Sequence, residues 1–302
     1  MKQLGHWFQY LLFLIASALL YLLPFRLVQW IGARLSEFFY SILGFRKSIT
    51  LENLRYAFPD ESEENLDRIA KEAFRNVGST LAELLWFPRM SVEMMRTMIV
   101  FEDEQLIREC HRKGTGFILL TAHFGNWELI SPAVMACMGI PVSALYKQQS
   151  NRFIDRAIER RRSRFGNTLV PLGPAVREIV RTLQEGHAIL LAGDQSAPKE
   201  SIWLDFFGRS IPVFQGPAVL SLKTGAPLLL AFMIREGNGM FRLICREVRG
   251  SDLSYSEEAS VELTRRHLKE TENMIRRYPE QWMWMHRRWK HAVGGVSLEV
   301  ET

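Results

Sequence analysis

The chain's clearest chemical potential lies in His123 and Glu128, within the run Thr121-Ala122-His123-Phe124-Gly125-Asn126-Trp127-Glu128. A carboxylate on one imidazole nitrogen fixes the tautomer and makes the other nitrogen more basic, giving a general base near neutral pH. On one continuous helix these two positions would not face each other. A strand–turn–helix is therefore needed to fold Glu128 back onto the ring; otherwise His123 is a strand-end residue bonded to backbone. Gly125 permits a sharp turn, Asn126 can cap the next helix, and Glu128 falls in its first turn. That helix start also favours a phosphate or a developing anion. Asp194 and Gln195 follow a second apolar run, Ile189-Leu190-Leu191-Ala192. They either contact a ligand, position the histidine pair, or cap a turn. The second histidine of a zinc hydrolase site is missing, so neither metal nor cofactor is expected. Cys137 reads as core rather than nucleophile.

The elements that must position these groups follow from apolar periodicity. Phe117-Ile118-Leu119-Leu120 reads as a buried strand that delivers His123 at its C-terminal end, where α/β sheets place ligands. Strand and helix then alternate: 117–121 before 127–138, 142–145 before 151–164, and 175–184 before 188–192. That alternation predicts a largely parallel sheet with helices on its faces. Residues 228–234 and 241–248, around Glu236-Gly237-Asn238-Gly239, read as an antiparallel hairpin. Upstream, residues 46–58 form a helix stopped by Pro59. Asp60, with Glu63 three residues on, is the expected cap of a long amphipathic helix ending near Phe87-Pro88. A helix over 256–277 and an aromatic-basic tail complete the chain. The expected fold class is α/β: a mixed, largely parallel sheet flanked by helices over residues 46–302, preceded by a membrane-associated helical segment, residues 1–45.

The 302 residues carry 38 Lys+Arg against 33 Asp+Glu and are 47% hydrophobic. This balance excludes a disordered acidic tail and a multi-span membrane protein. Cys110, Cys137 and Cys245 lack the spacing of a disulfide scaffold or zinc ribbon and suit a reducing compartment. Residues 3–25 hold no formal charge, and 7–23 are almost continuously apolar, just long enough to span a bilayer. They run into Pro24-Phe25-Arg26 without a small-residue cleavage site, so a retained anchor is expected rather than a signal peptide. Lys2 before the stretch, and Arg26, Arg34, Arg46 and Lys47 after it, keep the body in the cytoplasm by the positive-inside rule. The helix either spans the bilayer or lies in its surface, and residues 27–43 suit a second membrane-associated helix. Between 141 and 190, nine basic residues face four acidic ones, which suits either an ordinary solvated helix face or a phosphate-bearing ligand, an anionic membrane or an acidic partner. In the tail, Trp282, Trp284 and Trp289 alternate with His286, Arg287, Arg288 and Lys290. Without an RNA-binding motif this favours lipid phosphate over nucleic acid; Arg287 and Arg288 could equally close against the sheet.

The motif His-Phe-Gly-Asn-Trp-Glu resembles the His-x4-Asp/Glu signature of the glycerolipid and lipid A acyltransferases, and more specifically the lauroyl/myristoyl acyltransferase family of lipid A biosynthesis. Asn53-Leu54-Arg55-Tyr56-Ala57-Phe58-Pro59, Gly193-Asp194-Gln195, Phe206-Phe207-Gly208 and Pro279-Glu280-Gln281-Trp282-Met283-Trp284-Met285-His286-Arg287-Arg288 look like its recurring blocks, in its order, over nearly the whole chain. The resemblance implies transfer of a fatty acyl group, usually from acyl carrier protein, to a hydroxyl of a phosphorylated glycolipid at the inner face of the cytoplasmic membrane. His123 would take the hydroxyl proton, oriented by Glu128, with no acyl-enzyme. Asn126, Arg164, Asp194, Gln195, Arg287 and Arg288 are the expected substrate contacts, Arg164 for phosphate or oxyanion. Arg160, Arg161 and Arg162 would form a surface patch for the acidic carrier or for headgroups. Trp203-Leu204-Asp205-Phe206-Phe207-Gly208-Arg209 departs from the family's frequent Val-Pro-Phe-Phe-Gly, and Lys147 stands where an Arg is common. Both departures leave chain length and acceptor open. The alternatives are an acyltransferase for another glycolipid or phospholipid, and a non-catalytic membrane-anchored lipid-binding protein.

Overall fold

The computed structural model describes residues 2–173 and 176–292. Five helices come first: α1 (Lys2–Tyr21), α2 (Phe25–Ser41), α3 (Lys47–Ala57), α4 (Glu63–Trp86) and α5 (Val92–Met98). The chain continues β1 (Ile99–Phe101), α6 (Glu104–Arg112), β2 (Phe117–Thr121), α7 (Ile130–Met138), β3 (Val142–Tyr146), α8 (Arg152–Arg162), β4 (Thr168–Pro171), α9 (Val176–Gln184) and β5 (Ala188–Ala192). It ends with β6 (Ile202–Phe206), β7 (Arg209–Val213), α10 (Gly216–Thr224), β8 (Leu228–Arg235), β9 (Phe241–Glu247) and α11 (Glu257–Arg277). The start of the helix expected at Ala175 lies outside the described residues.

Seven strands form one sheet in the order β1-β9-β8-β2-β5-β3-β4. Every neighbouring pair is parallel except β8 and β9. This is the mixed, largely parallel sheet that the alternating runs predict. All five residues of β2 are buried, because helices cover both faces of a parallel sheet and its central strand reads as an unbroken apolar run. Ile118, Leu120 and Phe232 pack on one face with α11 and the tail, while Phe117, Leu119 and Leu229 pack on the other with α7. The parallel register sets Thr121 opposite Ala192, so the segments leaving β2 and β5 emerge side by side at one edge.

Two expectations change, and one hairpin was not foreseen. Ser62, not Asp60, caps α4: its Oγ accepts from the Asn65 N–H at 3.2 Å. Phe206-Phe207-Gly208 belongs to an antiparallel hairpin of β6 and β7. Phe207 and Gly208 both take positive φ (55° and 73°), as a two-residue turn that follows strand twist requires. Trp282, Trp284 and Trp289 are buried in the core rather than facing headgroups.

α2 lies against α4 through Gly32 and Gly78. A Cβ on Gly78 would stand 2.2 Å from the Gly32 carbonyl oxygen, so backbone meets backbone here. Gly78→Ala should push the helices apart at a cost of about 1–3 kcal/mol, seen as a lowered thermal midpoint. Gly5→Ala, where nothing lies within 4 Å, should leave that midpoint unchanged.

Candidate active site

Two residues beyond the Thr121–Ala192 pair, the chain presents His123 on one side and Asp194 on the other. His123 Nδ1 lies 2.8 Å from Asp194 Oδ1. A carboxylate can only accept, so Nδ1 carries the proton and Nε2 is the open nitrogen. Asp194 Oδ2 accepts from the His123 backbone N–H and from Trp282 Nε1, both at 2.9 Å. The histidine backbone is fixed by the tail as well, since the Met283 N–H donates to the His123 carbonyl at 3.0 Å. Asp194 is buried while the imidazole is partly exposed. Trp127 stands edge-on to the ring at 5.3 Å, and Gln195 Nε2 is 3.5 Å from His123 Nε2.

Glu128 is therefore not the group that holds the ring. After Gly125 the chain makes a short 3-10 turn, Trp127–Leu129, which sends the carboxylate towards α8. Glu128 accepts from Arg162 Nε at 2.7 Å and Nη2 at 2.5 Å, and from Trp127 Nε1 at 3.2 Å. It remains close enough to favour a charged His123.

Burial alone would make His123 harder to protonate. The Asp194 carboxylate, by charge and hydrogen bond, outweighs that penalty, and the pKa rises above the ordinary histidine value. Burial pushes Asp194 the other way, but His123 and the Trp282 N–H prevail and hold it at about 2. Behind Asp194 is a small cavity of about 10 Å³, lined by Thr121, Gly193, His267 and Arg288 among others, room for about one water. His267 is kept neutral by burial, its pKa pushed down to about 4, and burial lowers Arg288 to about 10 against the pull of Asp194.

The other anticipated contacts separate. Arg288 is fully buried, donating to the Pro212 carbonyl at 3.2 Å with its guanidinium over Phe206, so it faces the interior and not a substrate. Asn126 is fully buried and donates to Glu83, so it builds the turn rather than contacting a ligand. Arg164 and Arg287 are exposed. The contiguous Arg160-Arg161-Arg162 is not a patch. Arg160 is exposed, Arg161 turns to Ser17 of α1 at 2.6 Å, and Arg162 turns to Glu128. Neighbours on a helix point about 100° apart, which divides the triplet.

A polar frame that sequence reading missed supports the turn. The Gly125 carbonyl accepts from Thr80 Oγ1 at 3.0 Å and Asn76 Nδ2 at 3.2 Å. The Gly125 and Asn126 N–H groups donate to the Gln281 and Met233 carbonyls at 2.8 and 3.0 Å. Buried Glu83 pairs with Arg235 at the end of β8 and with Asn126. A Cβ on Gly125, whose φ is +54°, would fall 1.8 Å from the Met233 carbonyl oxygen, so only glycine fits. Asn76, Thr80 and Glu83 form a polar row at helical spacing on the buried face of α4, and that row is the signal the sequence did offer.

The His123–Asp194 pair makes stability depend on pH with a definite sign. The raised His123 pKa means that its contribution is complete below the ordinary histidine value of about 6.5 and is lost as pH climbs through the raised value. The lowered Asp194 pKa means that its contribution is complete above about 4 and is lost as pH falls towards 2. The coupling free energy from His123→Ala, Asp194→Asn and the double variant should therefore peak between those limits. A coupling that stays flat from about pH 5 to pH 9 would contradict the charged pair.

Residues 1–291 match the family described as bacterial lipid A biosynthesis acyltransferase. The chain is 28% identical over 285 residues to the lipid A biosynthesis palmitoleoyltransferase of Escherichia coli (strain K12), covering 92% of this chain and 90% of that protein. It is 25% identical over 282 residues to the lipid A biosynthesis lauroyltransferase of the same strain, covering 91% and 89%. A phosphatidylinositol mannoside acyltransferase of Mycolicibacterium smegmatis is 24% identical over 180 residues, covering 58% of this chain and 57% of that protein. With a family match that spans nearly its whole length and a histidine–carboxylate pair at the open edge of the sheet, this chain belongs to the bacterial lipid A biosynthesis acyltransferases, and it is an acyltransferase.

Proposed function

We propose that the protein transfers a fatty acyl chain from an acyl carrier protein thioester to a hydroxyl of a lipid A precursor, at the inner face of the cytoplasmic membrane. The observation that carries the mechanism is the open Nε2 of His123, backed through Nδ1 by buried Asp194. Nε2 takes the proton of the acceptor hydroxyl as its oxygen attacks the thioester carbonyl, and the imidazolium that forms is stabilised by Asp194. The tetrahedral oxyanion collapses, the carbon–sulfur bond breaks, and the leaving thiolate takes the proton back from Nε2. No acyl-enzyme forms, because a thioester is already activated. The Gln195 amide is within reach of the acceptor oxygen or the oxyanion. Exposed Arg164 and Arg287 suit the acceptor's phosphates. Glu128, paired to Arg162, adds negative potential near the imidazolium and keeps the end of α8 beside the site. The basic residues that follow α1 favour a cytoplasmic body.

Transfer from acyl carrier protein to a lipid A precursor in reconstituted vesicles tests the reading. His123→Ala should lose at least about a hundredfold in turnover. In the wild type the acid limb of the kcat/KM profile should lie above about pH 6.5, and Asp194→Asn should move it lower and cut turnover, because the imidazolium loses its counter-charge. Glu128→Gln should lower turnover while moving the limb less, since Asp194 still holds the ring. Near-normal transfer by His123→Ala would end this mechanism, and unchanged lipid profiles in cells lacking the protein would end the acceptor assignment.

A further inference from the structure

α1 is committed on one face and open on the other. Asn151 Nδ2, at the cap of α8, donates to the His6 carbonyl at 2.9 Å and to Gln9 Oε1 at 3.1 Å. The Phe153 ring lies 4.3 Å from Trp7 and 5.7 Å from Tyr10. At the other end of α8, Arg161 Nη2 donates to Ser17 Oγ at 2.6 Å, and the guanidinium sits 4.6 Å over Phe13. The contacts advance together along both helices, so α1 and α8 run side by side for about three turns, roughly 16 Å. Leu4, Phe8, Leu11, Leu12, Ile15 and Leu19 are exposed, with Leu4 at 77% and Phe8 at 62%. At about 100° per residue these positions centre opposite the face that meets α8.

α8 itself is a polar helix. Arg152, Arg156 and Arg160 recur at every fourth position as one exposed row. Among the described residues none of the three has a carboxylate partner, whereas Arg34, Arg75, Arg108, Arg242 and Arg266 are each paired within the fold. We propose that α1 lies in the plane of the membrane surface, its open face in the acyl boundary, with the arginine row of α8 at the phosphates of anionic lipids. A bilayer-spanning α1 would carry this helix into hydrocarbon beside it, and arginine there is strongly disfavoured. An interfacial helix sits about 5–10 Å into the headgroup–acyl boundary. A partner packed on its far side at about 8–10 Å comes level with the headgroups, within reach of long arginine side chains. α2 adds exposed Trp30, Phe38 and Ile42, with Arg34 over Trp30 at 6.0 Å. The apolar surface thus continues past the Pro24 turn.

Depth measurement decides between the two orientations. Nitroxides placed one at a time in the full chain by Leu4→Cys, Phe8→Cys, Leu11→Cys, Ile15→Cys and Leu19→Cys would be read in phosphatidylethanolamine–phosphatidylglycerol vesicles, by relative accessibility to oxygen and a nickel chelate. The half-buried Cys137 is replaced by Ser for this work; Cys110 and Cys245 are buried. All five labels should report one shallow depth, and a label at Arg156→Cys should report headgroup depth. A profile that deepens to the bilayer centre near Leu11 and shallows on both sides would overturn the proposal. The variant R152Q/R156Q/R160Q should lose roughly a hundredfold of its preference for phosphatidylglycerol over phosphatidylcholine vesicles, and with it most of the salt dependence of binding. If that preference survives, the row does not read lipid phosphate; a raised KM for acyl carrier protein in the same variant would assign it to a protein partner instead. Vesicle binding is read without turnover, so failure here is separable from failure of the proposed reaction.

Discussion

The parallel pairing of β2 with β5 is the constraint on which the site depends. Thr121 stands opposite Ala192, and because the two strands run the same way, the residues two steps further on also meet. That meeting pairs a buried carboxylate with a histidine. A buried charge is costly unless it is compensated, and Asp194 is compensated by an imidazole N–H, a backbone N–H and an indole N–H. The donors come from two parts of the fold: the ring and backbone N–H of His123 from the end of β2, and the indole from the tail. A slip of β5 against β2 would break the set at once. The tail is thereby tied to the chemistry, since Trp282 bonds Asp194 and its strand-like neighbour Met283 bonds the His123 carbonyl.

A second buried charge fixes the turn that follows. Glu83 and Arg235 form an ion pair inside the protein, an arrangement that adds little net stability but costs about 3–5 kcal/mol to break from one side. Its value here is geometric. The pair joins α4 to the end of β8, and between them Asn76, Thr80 and Gln281 take up the polar groups of Gly125. The Gly125–Asn126 turn is thus held from three sides, and the backbone leaving His123 has no freedom to move the ring off Asp194.

The strands were legible because a buried parallel strand must be apolar throughout, and the runs at 117–121, 188–192 and 228–234 are. The partner of His123 was not legible from spacing, because distance along the chain carries no information about lateral neighbours in a sheet. Glu128 was close in sequence, and Asp194 was close in space. The same confusion of adjacency with proximity joined Arg160, Arg161 and Arg162, which point to solvent, to α1 and to Glu128 respectively. In the tail, Trp282 and Trp284 are both buried, and the chain turns between them, the Trp284 N–H donating to the Trp282 carbonyl at 3.0 Å. Basic residues between tryptophans suggested a wet surface, but Arg288 is as buried as the tryptophans around it. The β6–β7 hairpin carries an alternating pattern in Ile202, Leu204 and Phe206, but its positive-φ Phe207 is not a residue type that announces a turn.

α8 is where the two halves of the molecule's physics meet. Arg161 and Arg162 are consecutive, so their side chains leave the helix in different directions, one onto Phe13 and Ser17 of α1 and the other onto Glu128 beside His123. The helix cannot shift along α1 without dragging Arg162 across Glu128, and Glu128 lies in the short turn that continues from Gly125. Each link in this chain is a charge-assisted hydrogen bond or a packed aromatic with defined geometry, and none is a flexible connection. The apolar N-terminal helix is therefore tied into the α/β fold through α8. If α1 meets the bilayer and His123 is the base, as proposed above, that construction fixes the distance from the membrane surface to the nitrogen that must reach the acceptor hydroxyl.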